Sequence, residues 1–374
     1  MRRLVLHIGT EKTATTTLQQ FLQSNRKQLL KDGWILPRSL GEPSQRKLAI
    51  LCNDDSFVDP EISRLGLATF KARSEACSRW ATAFVREIAS AQTPNMVISS
   101  EHLSSRLFTQ TEMDRLRRFL LPHFEMIDVV VVLRDPLSAA LSLLSTQIRH
   151  MGLTNATLPA PPSSWGLGNE RSWISVCDHR QTLQRWESAF PGRVNARIFE
   201  SASLKGGSIV SEFKEILGVA EKRGYSESSY ANESISAVGL ELLARLNHLI
   251  PRSVDGKPSP YRKDLSEWVS RYFKSCSKLS ATESQMDAYT QAFLESNEWV
   301  RANYFPDRKT LFTPNLCDND SQLASSNFNS IEIEAIAELV AALWKSHSAR
   351  NHQFSALNKV RSISKKLVKL CREG

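Results

Sequence analysis

The sequence predicts an α/β fold: a parallel sheet held between two layers of helices, followed by a helical C-terminal subdomain. Three observations predict it. The runs Leu4–Ile8, Met96–Ser100, Ile127–Leu133 and Arg193–Phe199 are short and rich in branched apolar residues, as strands buried on both faces are. Segments with apolar residues at helical spacing lie between them. The chain has 374 residues, 41% of them hydrophobic, enough to bury a large core.

The first strand ends at Gly9 and a polar loop follows, Thr10-Glu11-Lys12-Thr13-Ala14. Thr15 to Leu30 reads as a helix, with Leu18, Phe21, Leu22 and Leu29 on one face. Strand, tight loop and helix N-terminus is a layout that cradles phosphate, because free backbone N–H groups and the positive end of the helix dipole converge on one anion. The loop departs from the nucleoside-triphosphate pattern G-x-x-x-x-G-K-[ST]. Counted from Gly9, the second glycine and the lysine would fall where Ala14 and Thr15 stand. The loop's lysine is Lys12 instead, and Thr15, Thr16 and Thr17 open the helix.

Ile127–Leu133 runs into Arg134-Asp135-Pro136, with Ser142 eight residues after the arginine on the next expected helix. Arginine offers phosphate a planar fork of donors and a serine hydroxyl adds one more. Pro136 suits a first helical turn, where no N–H is required.

Together these segments resemble sulfotransferases that use 3′-phosphoadenosine 5′-phosphosulfate (PAPS). In that family the loop reads P-K-[ST]-G-T-T and the later strand leads into R-x-P-x-x-x-x-x-S. Glu11 replaces the customary proline and Ala14 the glycine. If position 14 needs a positive φ, alanine is strained there; otherwise the change is nearly silent. The resemblance implies a P-loop-like three-layer fold over about residues 1–220, with PAPS as co-substrate and no metal required. Lys12, Thr13, Ala14, Thr15, Thr16 and Thr17 would then face the 5′ side of the cofactor, and Arg134 and Ser142 its 3′-phosphate.

The strand Met96–Ser100 delivers Glu101 and His102 at its C-terminal end, the edge where ligands bind in open parallel sheets. Sulfuryl transfer to a hydroxyl needs a base. Relatives of the resembled family use a histidine or a glutamate here. Successive residues on an extended segment point opposite ways, so one of the two is expected to face the acceptor, Glu101 ahead of His102. The glutamate, and the missing C-terminal motif G-x-x-G-x-W-K of small-phenol enzymes, imply by analogy a carbohydrate or glycolipid acceptor.

Elsewhere the chain is read from pattern. Residues 38–70 are irregular with short helices. Ala72–Ala91 is a helix with Ala76, Trp80, Phe84, Val85 and Ile88 facing the core, and Thr111–Phe124 another. A proline- and serine-rich loop spans Leu153–Trp173, placed to shape an acceptor pocket or close as a lid. The helix Asp178–Phe190 leads to the strand Arg193–Phe199, and the core ends with a helix from Ile209 to about Leu217. Residues 221–317 form a helical extension, with helices at Ser234–Leu249, Leu265–Phe273 and Glu283–Tyr304. Residues 318–374 are a polar linker, a helix over Ile331–Trp344, and a tail with eight lysines and arginines after Trp344. That tail's apolar stripe, Val360, Ile363, Leu367 and Leu370, allows peripheral contact with an anionic membrane.

The six cysteines form no C-x-x-C pair, which argues against a zinc site or disulfide framework and for a reducing compartment. A strand starting near Met1 leaves no room for a signal peptide, so the expected location is cytoplasmic. The net charge of +9 comes without a nucleic-acid-binding signature, so phosphate ligands are the expected counterpart rather than nucleic acid. Two rivals remain. A P-loop kinase or NTPase would use Asp135 for magnesium, and a non-catalytic nucleotide-binding protein would retain the phosphate sites alone. Oligomeric state is not legible.

Overall fold

The computed structural model describes residues 1–161, 177–226, 235–254, 257–259, 261–262, 264–273, 279–313, 334, 336–338, 340–345 and 347. Most of the expected loop of residues 153–173, the linker at 318–329 and the basic tail lie outside them.

Five strands form one parallel sheet: β1 (Arg3–Gly9), β2 (Trp34–Ile35), β3 (Asn95–Ser99), β4 (Met126–Leu133) and β5 (Val194–Ile198), in the order β2-β3-β1-β4-β5. The chain builds β2 and β3 on one side of β1 and then crosses to β4 on the other. The C-terminal ends of β3, β1 and β4 are therefore neighbours at a switch in winding direction, where open α/β sheets bind ligands.

The helices are α1 (Thr15–Ser24), α2 (Arg26–Lys31), α3 (Lys47–Cys52), α4 (Pro60–Arg64), α5 (Phe70–Ala89), α6 (His102–Arg106), α7 (Gln110–Leu120), α8 (Pro136–Thr146), α9 (His179–Ala189), α10 (Ile209–Ile216), α11 (Ala237–Leu249), α12 (Leu265–Tyr272) and α13 (Glu283–Tyr304). The helix expected over Thr15–Leu30 is two. Asn25 breaks it with a side-chain bond to the Phe21 carbonyl at 2.9 Å, an Asn competing locally with the helical ladder. In α5, Ala76, Phe84 and Ile88 are buried as the spacing predicts, but Val85 is exposed.

The strands' alternating side chains feed two cores. Leu4, Leu6, Ile8, Ile98, Val129 and Val131 pack with α5, α7 and α9 on one face. Val5, Val97, Val130 and Val132 pack with Leu18, Phe21 and Leu22 of α1 and Phe213 of α10 on the other. The three-layer arrangement follows from burying both faces.

The chain divides into two compact units: Met1–Ala140, Pro159–Ala231 and Glu283–Asn315 in the first; Leu141–Leu158, Asn232–Thr282 and Leu316–Gly374 in the second. The sequence grouped α13 with the helical extension. Its Val300 instead joins the sheet's core together with Leu311 and Phe312, so α13 is part of the first unit. Among the described residues, no helix is long and apolar enough to cross a membrane.

Candidate active site

Gly9 closes β1 at φ +80°, and a Cβ there would stand 2.8 Å from the Glu101 Cβ. Glycine is required twice over, by conformation and by contact, and the contact brings the end of β3 against the loop. Thr10 ties the loop to the end of β4: its amide and hydroxyl both donate to the Val132 carbonyl at 3.0 Å. The Thr13 hydroxyl donates to the Thr10 carbonyl at 2.7 Å and is fully buried. Its side chain is thus spent inside the loop.

Lys12 and Ala14 hold φ of 66° and 57°, two of the three non-glycine positive values among the described residues. Ala14 is therefore strained, at a cost of about 1–2 kcal/mol. Strain of this kind persists where the surroundings over-determine the backbone, and it gathers at ligand sites. Left-handed residues among ordinary ones turn successive amides toward one concavity. Ala14 is also the N-cap of α1 and supplies no side-chain cap, so the first-turn amides of Thr15, Thr16 and Thr17 are left for a ligand. Thr15 is buried and Thr16 exposed.

Arg134, at the end of β4, donates from Nη1 to the Lys12 carbonyl at 2.6 Å and lies over the Phe199 ring, 5.6 Å from its centroid. Burial lowers its pKa, partly offset by Asp135. Behind it, His179 Nε2 contacts the Arg134 carbonyl at 2.7 Å, and Phe312 packs on the His179 ring at 5.6 Å. Asp135 accepts the Ser138 N–H at 2.8 Å and so caps α8. Ser142 lies half-buried on α8, in the stretch of that helix belonging to the second unit. Its carbonyl accepts the Thr146 hydroxyl at 3.0 Å.

Glu101 and His102 do not alternate along an extended strand. β3 ends at Ser99, and Glu101 already has helical angles as the N-cap of α6. The turn brings Glu101 Oε1 within 3.9 Å of His102 Nε2. Glu101 Oε2 accepts from Gln19 Nε2 of α1 at 2.7 Å, which fixes the carboxylate beside the loop. His102 has a pKa pushed down to about 3 by burial first and then by Arg46 and Arg106. It is neutral near pH 7 and a poor proton acceptor.

Glu11 contacts Arg106 of α6 at 3.3 Å, and Arg106 also meets Asp59 at 3.2 Å. The loop is thereby anchored to the turn that carries Glu101.

Sequence reasoning missed Gln19, His179 and Arg106. Gln19 left a signal, being a polar residue beside the apolar stripe of α1. Among the described residues, no cluster of three or more His, Cys, Asp or Glu is arranged to hold a metal ion.

No protein-family model and no curated protein matches the chain. Among solved structures, the chain is similar to the crystal structure of a sulfotransferase from Alicyclobacillus acidocaldarius, at 15% identity over 62% of this chain and 87% of that one, with a TM-score of 0.40.

Proposed function

We propose that the chain is a sulfotransferase that moves the sulfuryl group of PAPS to an acceptor hydroxyl on a carbohydrate or glycolipid. The observation that carries this reading is the hydrogen bond from Arg134 to the Lys12 carbonyl. It joins the two phosphate-type segments of the sequence, loop and strand-end arginine, in one cradle. The residues fit a bisphosphorylated nucleotide: an uncapped helix start and a loop with left-handed residues for one phosphate, a half-buried guanidinium for the other.

In this reading the amides of Thr15, Thr16 and Thr17, with the hydroxyls of Thr15 and Thr16, hold the 5′-phosphate. Arg134 and Ser142 hold the 3′-phosphate. The Lys12 ammonium balances charge growing on the oxygen that bridges phosphorus and sulfur as that bond breaks. Glu101 takes the acceptor proton, with Gln19 keeping its carboxylate in place. His102, held neutral, supports the turn. The cofactor supplies the activated sulfuryl group.

Both departures from the family loop have a physical account. Glu11 exchanges the proline's rigidity for an ion pair to Arg106, and Ala14 adopts the left-handed conformation despite its Cβ. Neither calls for a non-catalytic role. The kinase reading asks Asp135 to hold magnesium, whereas that carboxylate is engaged at the start of α8.

Sulfate transfer from labelled PAPS to a panel of neutral and acidic oligosaccharides and glycolipids tests the proposal. Turnover without magnesium is expected, falling roughly 100-fold or more in Lys12→Ala at unchanged circular dichroism. Magnesium-dependent ATP consumption with no sulfate transfer would overturn it.

A further inference from the structure

Arg134 stands where the chain leaves β4 and enters α8, and its carbonyl falls between two hydrogen-bond ladders. On one side the Leu133 carbonyl accepts the Phe199 N–H at 2.7 Å, just past β5; on the other the Asp135 carbonyl accepts the Ala139 N–H at 2.8 Å, inside α8. The Arg134 carbonyl is served by a side chain instead, His179 Nε2 at 2.7 Å. A carbonyl oxygen can only accept, so Nε2 carries the imidazole proton. Two residues before the histidine, the Cys177 thiol donates to the Pro136 carbonyl at 3.6 Å. The start of α9 thus grips the turn Arg134–Pro136 at two carbonyls.

His179 is itself well fixed. It is fully buried, with Phe312 packed on its ring at 5.6 Å. The first turn of α9 is pinned as well: Asp178 caps it by accepting the Gln181 N–H at 3.1 Å, and Ser296 of α13 donates to the same Asp178 oxygen at 2.9 Å while accepting the Arg180 N–H at 3.1 Å. Burial lowers the imidazole's pKa, so the donor beside the guanidinium is uncharged and adds no like-charge repulsion.

The far end of Arg134 is held by the Lys12 carbonyl and the Phe199 ring. These contacts orient the fork, while the bond to the carbonyl fixes the peptide from which its long stem springs. Recognition of phosphate by a planar fork needs both, because a shift of about 1 Å at the root spoils a two-bond geometry.

We propose that His179 is the positioning residue for Arg134, and through it sets how strongly the site requires a 3′-phosphate on its nucleotide. This rests on the sulfotransferase reading, in which Arg134 meets that phosphate. The loop proposed to hold the 5′-phosphate has separate ties, Thr10 to the Val132 carbonyl and Glu11 to Arg106. Loss of His179 therefore falls on the 3′ side.

The test is calorimetric titration of the full chain with 3′-phosphoadenosine 5′-phosphate and with adenosine 5′-phosphate, which lacks the 3′-phosphate. The ratio of the two affinities reads the 3′-phosphate alone. In His179→Leu, which removes the donor, the ratio is expected to fall roughly ten-fold or more, with the affinity for adenosine 5′-phosphate kept within about two-fold. His179→Gln, whose amide nitrogen can stand where Nε2 stands, restores most of it. In an Arg134→Ala background His179→Leu lowers the ratio no further, because its effect passes through the arginine. Should His179→Leu not fold, His179→Asn takes its place: it keeps a polar amide but is too short to reach the carbonyl. An unchanged ratio, an equal loss for both nucleotides, a loss that His179→Gln shares, or a further fall in the Arg134→Ala background overturns the proposal. A wild-type chain that does not distinguish the two nucleotides rejects the sulfotransferase reading and this role with it, whereas a distinction that survives the loss of His179 rejects the role alone.

Discussion

Arg134 reaches from the end of β4 to the backbone carbonyl of Lys12, 2.6 Å away, so the residue expected to grip one phosphate also sets the shape of the loop expected to grip the other. Loop and arginine are 122 residues apart in the chain, yet they behave as one device. The neighbouring bonds reinforce this: Thr10 holds the loop to β4 and Glu11 holds it to α6.

Ala14 is the strained member of that device. Ala14→Gly relieves about 1–2 kcal/mol of left-handed strain and returns part of it as unfolded-state entropy. A net gain of about 0.5–1 kcal/mol is expected in denaturant unfolding, with nucleotide affinity retained. A loss of stability would mean that position 14 is not left-handed in solution.

Glu101 and His102 part company in their variants. Glu101→Gln is expected to lower kcat by roughly 100-fold or more, with nucleotide affinity unchanged, because it removes only the proposed proton acceptor. His102→Gln is expected to leave kcat within about a few-fold, its imidazole being held neutral by burial and by Arg46 and Arg106. Rate measurements on the two variants check this, and a reversed order would make His102 the base.

His7 and His102 contribute to the chain's response to acid. Burial pushes His7 down to about 3, and His102 lies at about 3 as well. Between about pH 6.5 and 3 the unfolded chain binds these protons and the folded chain does not. Their contribution to stability is therefore complete above about pH 6.5 and declines as the pH falls through that window. Melting temperature against pH checks this. His102→Gln should flatten the decline by up to about one proton, or 1.4 kcal/mol per pH unit.

The sequence made the sheet legible, because strands buried on both faces read as apolar runs. It also singled out the loop around Lys12 and the strand-end Arg134, which the fold joins by a 2.6 Å hydrogen bond. The site's supports were not legible. Gln19 touches Glu101 across 82 residues, and His179 reaches the Arg134 carbonyl across 45; such pairs exist only once the sheet order is set. The Glu101–His102 geometry was misjudged because the chain enters α6 sooner than the apolar run suggests. The placement of α13 was missed because its amphipathic stripe says that it packs, and not on what.

The most direct measurement is calorimetric titration of the protein with 3′-phosphoadenosine 5′-phosphate, alongside ADP with magnesium, repeated on Arg134→Ala. Metal-independent binding of the bisphosphate, preferred over ADP and weakened by roughly 100-fold or more in the variant, is the predicted result. Preference for ADP with magnesium, or indifference to the loss of Arg134, would contradict the account.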